Sequence, residues 1–361
     1  MGRLMGLMGD KVRVLFRFLR FGFLIALGGV GSVAARDLHA ATLPRVTVAA
    51  EGKADFHTLQ AAVDAAPETG ELILIAPGIY REKLRVTKAN IHLIGTGQTP
   101  AQVVLTYDDS SKSAGGTSKS ASVTVQADGF EAENLTFENL WEIEHPEKEN
   151  RSQAVALLVA SDKAVLDRVR LLGAQDTLYA NSRTCRETGT TDPCAASREF
   201  FNDCYVEGHV DYIFGDAQAV FDRCELHSRV HDTVTITAQS RHFEQEVSAY
   251  FFLHCKITGA DNGNQILLGR PWRDDSTVTF YDTEMDQPMA PAGWLEWDGR
   301  LKTSTYREYL SHGPGVNGGH RIVASPPEEM PKPSAMTPKA LLAGSDGWDP
   351  EAEVAALRAI R

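Results

Sequence analysis

The 361-residue sequence predicts an all-β solenoid, on three observations. Apolar residues come in short runs broken by Gly, Asn and Asp, the mark of many short strands. A six-residue pattern recurs: apolar, two mostly polar, small or apolar, any, apolar. Its spacing varies while its internal form does not, which suits coils whose insertions go into loops.

The clearest copies are Leu166 to Leu171, Phe201 to Val206, Phe221 to Leu226 and Phe252 to Ile257. Looser copies run from Ala132 to Phe137 and from Phe280 to Met285. Their fourth positions fall at 135, 169, 204, 224, 255 and 283, at spacings of 34, 35, 20, 31 and 28. No strict propeller period is present, and no strand–helix alternation of a Rossmann or TIM architecture.

The ends follow from local signals. Lys11, Arg13, Arg17 and Arg20 precede an uncharged stretch, Phe21 to Ala35, shorter than the ~20 residues of a membrane span and ending in small residues. Residues 1–41 therefore read as a secretory signal peptide cleaved after Ala35 or Ala40, with an N-terminal anchor as the alternative. Residues 42–325 form the solenoid and 326–361 a tail. Thr58 to Ala66, followed by Pro67, reads as a short helix with Leu59, Ala62 and Val63 on one face, capping the first coil. The Pro-rich tail offers two helical stretches, after Thr337 and after Asp349, expected to pack outside the coils.

Charge narrows the function. The leader holds six Lys/Arg and two Asp/Glu, so the formal −12 of the whole chain becomes −16 without it. Such a protein does not bind nucleic acid through its net field, and it repels a fully de-esterified polyuronate. A secreted or periplasmic location, with no membrane contact after leader removal, is expected.

Five cysteines, 185, 194, 204, 224 and 255, enter that oxidising compartment. Cys185 and Cys194 bracket a polar segment that nothing else would order, so a disulfide is expected there. The other three share one register of the repeat. Parallel side chains on adjacent coils make poor disulfide geometry, so buried thiols are expected, with a Cys204–Cys224 bond as the alternative.

Two segments carry the chemistry. Gly173-Ala-Gln-Asp176-Thr-Leu-Tyr179 and Val206-Glu-Gly-His-Val-Asp211-Tyr-Ile-Phe-Gly215 each place one Asp amid apolar or aromatic residues. A carboxylate there is expensive unless paired or protonated. Each segment adjoins a repeat, which puts the aspartates on neighbouring turns about 5 Å apart. Two carboxylates that close split their pKa values, giving a nucleophile and a general acid. Either Asp alone reads equally well as a turn or ladder residue. Gln153 and Gln175 can supply amide donors for an oxyanion, although either alone reads as a ladder or turn residue. Arg270 and Trp272, two apart, fall on one face of a strand, a cation for an aspartate and a flat apolar surface for a sugar ring, the alternative being a surface Arg-Pro turn with a buried Trp. No His/Cys/Asp cluster has metal-ligand spacing.

An ordered set of motifs resembles the pectin methylesterases. These are Gly78-Ile-Tyr-Arg-Glu82, Gln153-Ala-Val-Ala-Leu157, Gly173 to Leu178, Gly208-His-Val-Asp-Tyr-Ile-Phe-Gly215 and Leu268-Gly-Arg-Pro-Trp272. Gly293-Trp-Leu-Glu-Trp-Asp-Gly299, Tyr306-Arg-Glu-Tyr309 and Gly313-Pro-Gly315 follow. The resemblance spans roughly residues 45 to 325 and implies a right-handed parallel β-helix. It also implies hydrolysis of C6 methyl esters of homogalacturonan through a covalent aspartyl intermediate, by a monomer with no cofactor or metal. Asp211 is then the nucleophile, Asp176 the acid and then the base, Gln153 and Gln175 the oxyanion donors, and Arg270 the residue orienting Asp211. Thr117, Tyr179, Phe214, Arg229 and Trp272 are implied to touch the sugars. Tyr212 and His209 depart from the pattern, as does the segment 184–197, which looks inserted. A β-helix lyase or glycosidase is the rival enzyme class, since glycosidases also use two carboxylates. A catalytically silent carbohydrate-binding solenoid is the non-enzyme alternative.

Overall fold

A strand three to five residues long cannot bury its apolar side chains alone, and stacking equivalent strands from successive coils solves this. The computed structural model, which describes residues 43–182, 197–260, 263, 265–316 and 330–360, shows that solution. The expected leader and the Cys185–Cys194 pair lie outside the described residues. The strands form three parallel sheets of ten, seven and eight members. Each coil visits the ten-stranded, eight-stranded and seven-stranded sheet in that order, as in Ala164–Asp167, Arg170–Leu172 and Leu178–Ala180. The fold is a right-handed parallel β-helix.

The repeat pattern acquires a physical meaning here. Its first position points into the coil from the ten-stranded sheet: Ala132, Leu166, Phe201, Phe221, Phe252 and Phe280 are fully buried. The last four rings stack at centroid distances of 4.5, 4.7 and 4.4 Å, each pair worth about 0.5–1.5 kcal/mol beyond its burial. The sixth position, Phe137 through Met285, is fully buried on the eight-stranded sheet. The third position is left-handed in every copy: Asn134, Arg168, Asp203, Arg223, His254 and Asp282 all have φ between 52° and 55°. One left-handed residue turns the chain sharply from sheet to sheet, and Asn and Asp tolerate it best. Arg168 and Arg223 bear more strain. Arg168 bonds Glu133, and Arg223 bonds Asp222 and Asn202.

The fourth position fills the corner behind that turn. Cys204, Cys224 and Cys255 lie there as buried free thiols, so the alternative Cys204–Cys224 disulfide is not formed. Their sulfurs approach backbone carbonyls instead, Cys204 Sγ lying 3.3 Å from the Leu166 oxygen.

The first coil is capped and the tail packs outside the coils, as expected. The helix Leu59–Ala65, capped by the Thr58 hydroxyl, buries Leu59, Ala62 and Val63 against the first coils. The helices Pro338–Leu342 and Pro350–Ile360 lie on the outer face of the ten-stranded sheet. There Leu342, Trp348, Val354 and Leu357 pack on Val165, Phe200, Val220 and Leu253. Arg198, which pairs with Asp162 and Asp346, and Arg358, which pairs with Asp167, fix the tail. No described helix is long and apolar enough to cross a membrane.

Candidate active site

The outer face of the seven-stranded sheet carries a run of apolar side chains in register: Leu158, Tyr179, Phe214 and Ala238. Tyr179 and Phe214 stack at 4.1 Å, and Trp272 tilts against Phe214 at 5.9 Å. This aromatic strip borders a cleft of about 580 Å³. Nine of the ten residues proposed from sequence line it: Gln153, Gln175, Asp176, Asp211 and Arg270 with Thr117, Tyr179, Phe214 and Trp272. Arg229 is not among them. Its guanidinium donates to the Gly173 carbonyl at 2.8 Å, on the flank of the segment that carries Asp176.

The coil geometry brings the two aspartates together. Leu178 pairs with Ile213 and Tyr179 with Phe214, so Asp176 and Asp211 occupy equivalent positions on successive coils, about 4.8 Å apart along the sheet. The Asp176 amide donates to the Val210 carbonyl at 3.0 Å. Both are left-handed, with φ of 63° and 51°. At Asp211 the pairing with the next strand shifts by one residue between Val210 and Ile213, a bulge that re-aims the carboxylate outward. Two glycines permit the close backbone approach. A Cβ on Gly208 would stand 2.6 Å from the Ala174 oxygen, and one on Gly269 would run into the Thr237 hydroxyl.

Equal residue types then meet unequal surroundings. Asp211, 7% exposed, takes a forked pair of bonds from Arg270, from Nε at 2.9 Å and from the terminal nitrogen at 2.6 Å. Thr235 adds a hydroxyl at 2.7 Å, and the same oxygen accepts the Asp211 amide at 2.9 Å. Asp176 is equally buried, and its carboxyl is pushed well above the usual carboxylate range. Burial is the main cause, the Asp211 charge adds to it, and Arg270 opposes both. Arg270 is backed by the Trp297 ring, 4.2 Å from its guanidinium carbon. The arrangement therefore offers an oriented carboxyl forked to a cation beside a second one pushed toward its neutral form, with two amides lining the same space. That is the equipment for acyl transfer to a carboxylate nucleophile.

Thr235 and Trp297 escaped the sequence-based site. Trp297 stands inside a motif already singled out, Gly293 to Gly299, so a signal existed. Thr235 sits in the strand Val234–Gln239, where a β-branched residue needs no special reason.

Comparison with known proteins agrees with this geometry. The family model described as Pectinesterase matches residues 45–335. Pectinesterase 31 of Arabidopsis thaliana is 33% identical over 297 residues, covering 78% of this chain and 87% of its own length. The pectin methylesterase from carrot superposes with a TM-score of 0.73 at 30% identity, covering 84% of this chain and 95% of that one. A pectin methylesterase solved in complex with a hexasaccharide gives 0.67 at 26%, over 86% and 99%. With a family match over most of its length and a two-carboxylate cleft on a parallel β-helix, the chain belongs to the pectinesterase family of carboxylic ester hydrolases.

Proposed function

We propose that the protein demethylates pectin, with Asp211 as nucleophile and Asp176 as general acid and then base. The observation that carries the reading is the inequality of the two buried aspartates, one forked to Arg270 and the other pushed toward its neutral form.

A galacturonate ring lies on Tyr179, Phe214 and Trp272, with Thr117 at the cleft edge and its C6 methyl ester toward the aspartates. Asp211 attacks the carbonyl carbon, and the Gln153 and Gln175 amides donate to the oxyanion. The tetrahedral intermediate collapses, the C6–OCH₃ bond breaks, and the departing oxygen takes the proton of Asp176 to leave as methanol. Asp176, now ionised, draws a proton from water, and the hydroxide attacks the Asp211–acyl anhydride. The uronic acid leaves, Asp211 returns as carboxylate and Asp176 as acid. Arg229, outside the cleft lining, acts through the Gly173 carbonyl on the Asp176 segment.

Secretion after removal of residues 1–41, and action as a monomer without metal or other cofactor, belong to the same proposal. Among the described residues no three His, Cys, Asp or Glu side chains converge as an ion would require. The test is methanol release from highly methylated pectin, with and without a chelator, by wild type and Asp211→Asn. Release that survives chelation and vanishes in the variant is expected. Activity lost with chelator and restored by Ca²⁺, or more than a few percent remaining in the variant, overturns the mechanism.

A further inference from the structure

His209 is the single residue between the strands Tyr205–Gly208 and Val210–Gly215. Its coil is the shortest of the repeat series, with fourth positions 20 residues apart, and no loop separates the eight-stranded from the seven-stranded sheet there. Every polar atom of His209 is engaged. Its amide donates to the Ala174 carbonyl at 3.0 Å, and its carbonyl accepts the Thr235 amide at 2.9 Å. Nδ1 accepts the Val210 amide at 2.8 Å, so the other ring nitrogen holds the proton and donates to Glu142 at 2.9 Å. The ring is 2% exposed and stacks on His231 at 4.3 Å.

The His209–Val210 peptide is thus tied from both sides, and the catalytic groups hang from it. The next carbonyl, of Val210, takes the Asp176 amide, and the next residue is Asp211. Thr235, held by the His209 carbonyl, carries the hydroxyl that binds Asp211. We propose that His209 is a positioning residue: as the neutral Nε2–H tautomer it locks this peptide in the orientation that presents both aspartates, and protonation at Nδ1 unlocks it. A protonated Nδ1 would face the Val210 N–H donor to donor, so the ring or the peptide must turn.

The charges around the ring fix the sign. Glu142, from the short helix Trp141–Glu144, favours the imidazolium, whereas His231 and Arg229 oppose it, and Arg151 bonds the far nitrogen of His231. Burial outweighs Glu142 and holds the His209 pKa below the ordinary histidine range. The lock is therefore closed at neutral pH and opens on the acid side.

The inference rests on Asp211 and Asp176 being the catalytic pair, which loss of methanol release in Asp211→Asn tests separately. The decisive measurement is the pH profile of kcat for methanol release from methylated pectin by wild type, His209→Ala and Glu142→Gln, with melting temperatures alongside. His209→Ala should lower kcat by up to about 10²-fold with KM little changed, since displaced catalytic groups cost rate before binding. Glu142→Gln, which keeps the shape but removes the charge that favours the imidazolium, should move the acid limb to lower pH. If the acid limb is the same in wild type and Glu142→Gln, His209 does not set it and the proposal falls, whatever the melting temperatures do. Full kcat in a folded His209→Ala would also overturn it. Should His209→Ala not fold, the limb in Glu142→Gln decides.

Discussion

Arg270→Ala is the most direct probe of the surroundings of Asp211, the proposed nucleophile. The Asp211 side chain is 9% exposed and the Arg270 side chain 25%, so solvent screens their pairing little. Alanine leaves a buried carboxylate without its cation, a loss of about 3–5 kcal/mol when one partner of a buried pair is removed. The Thr235 hydroxyl at 2.7 Å is present with and without the guanidinium, so it offsets none of this loss. The lower end of that loss, about 3 kcal/mol, corresponds to roughly a 10²-fold fall in kcat/KM, at 1.36 kcal/mol per decade. Removing the guanidinium from Trp297 adds about 0.5–1 kcal/mol of lost stability. Arg270→Lys should fall between, because an ammonium keeps the charge but not the fork. Methanol release at fixed pH, with thermal melting as a control, measures both. If Arg270→Ala retains more than about a tenth of wild-type kcat/KM while melting normally, the ion pair does not prepare the nucleophile.

Asp176→Asn should be slow, and the alkaline limb of its residual pH–rate profile should vanish. The buried Asp176 proton is lost as pH rises and the Asn amide cannot be. An unchanged alkaline limb would assign it to another group. Glu199→Gln tests a second buried acid, away from the cleft. Burial and the Asp216 charge push the Glu199 carboxyl well up, and Asp216 itself is raised to about 7. A raised acid contributes stability that is present below its unfolded pKa and lost as pH rises through the folded one. Gln escapes that loss, so the melting temperature of Glu199→Gln should match wild type near about pH 4 and exceed it near about pH 8. A constant difference would contradict the ionisation. Thiol titration of denatured, unreduced protein should find three free thiols, Cys204, Cys224 and Cys255, if Cys185 and Cys194 are bonded to each other. Five would leave that pair reduced, and one would contradict the buried thiols described above.

What the sequence disclosed follows the physics of each position. The inward ladders were legible because a solenoid interior demands apolar residues at fixed places in every coil, whatever the loop lengths. The left-handed third position was not. Asn134, Asp203 and Asp282 are natural there, but Arg168 and Arg223 disguise the rule, their strain being met by Glu133 and Asn202 across the coils and by the neighbouring Asp222. The aspartates stood out because an ionisable residue in an apolar run needs a reason. The groups that prepare them did not. Thr235 looks like any strand threonine. Arg229 was placed against the sugars by resemblance, whereas its guanidinium turns to the Gly173 carbonyl. The bulge at Asp211 is a property of pairing between strands, which a single strand's sequence does not display.

Backbone conformation, burial and register do not separate Asp176 from Asp211: both are left-handed, nearly equally buried and at equivalent positions. Their order along the solenoid axis separates them. The seven-stranded sheet runs from Ile266–Gly269 through Val234–Gln239 and Val210–Gly215 to Leu178–Ala180. Arg270 follows the first of these and must reach across the second, a span of about 10 Å between coils. Its fork therefore meets Asp211 first, and Asp211 stands between it and Asp176. The cation is spent on the nearer carboxylate, while the farther one receives a negative neighbour and an apolar strand. One residue type thus meets the two unlike surroundings that the proposed nucleophile and acid require. A cation introduced on the opposite flank, as in Val155→Lys, should draw the Asp176 proton off and impair the acid without touching the Arg270 fork. Methanol release in that variant should fall most at alkaline pH. A uniform fall across the profile in a variant that melts like wild type would refute the axial account.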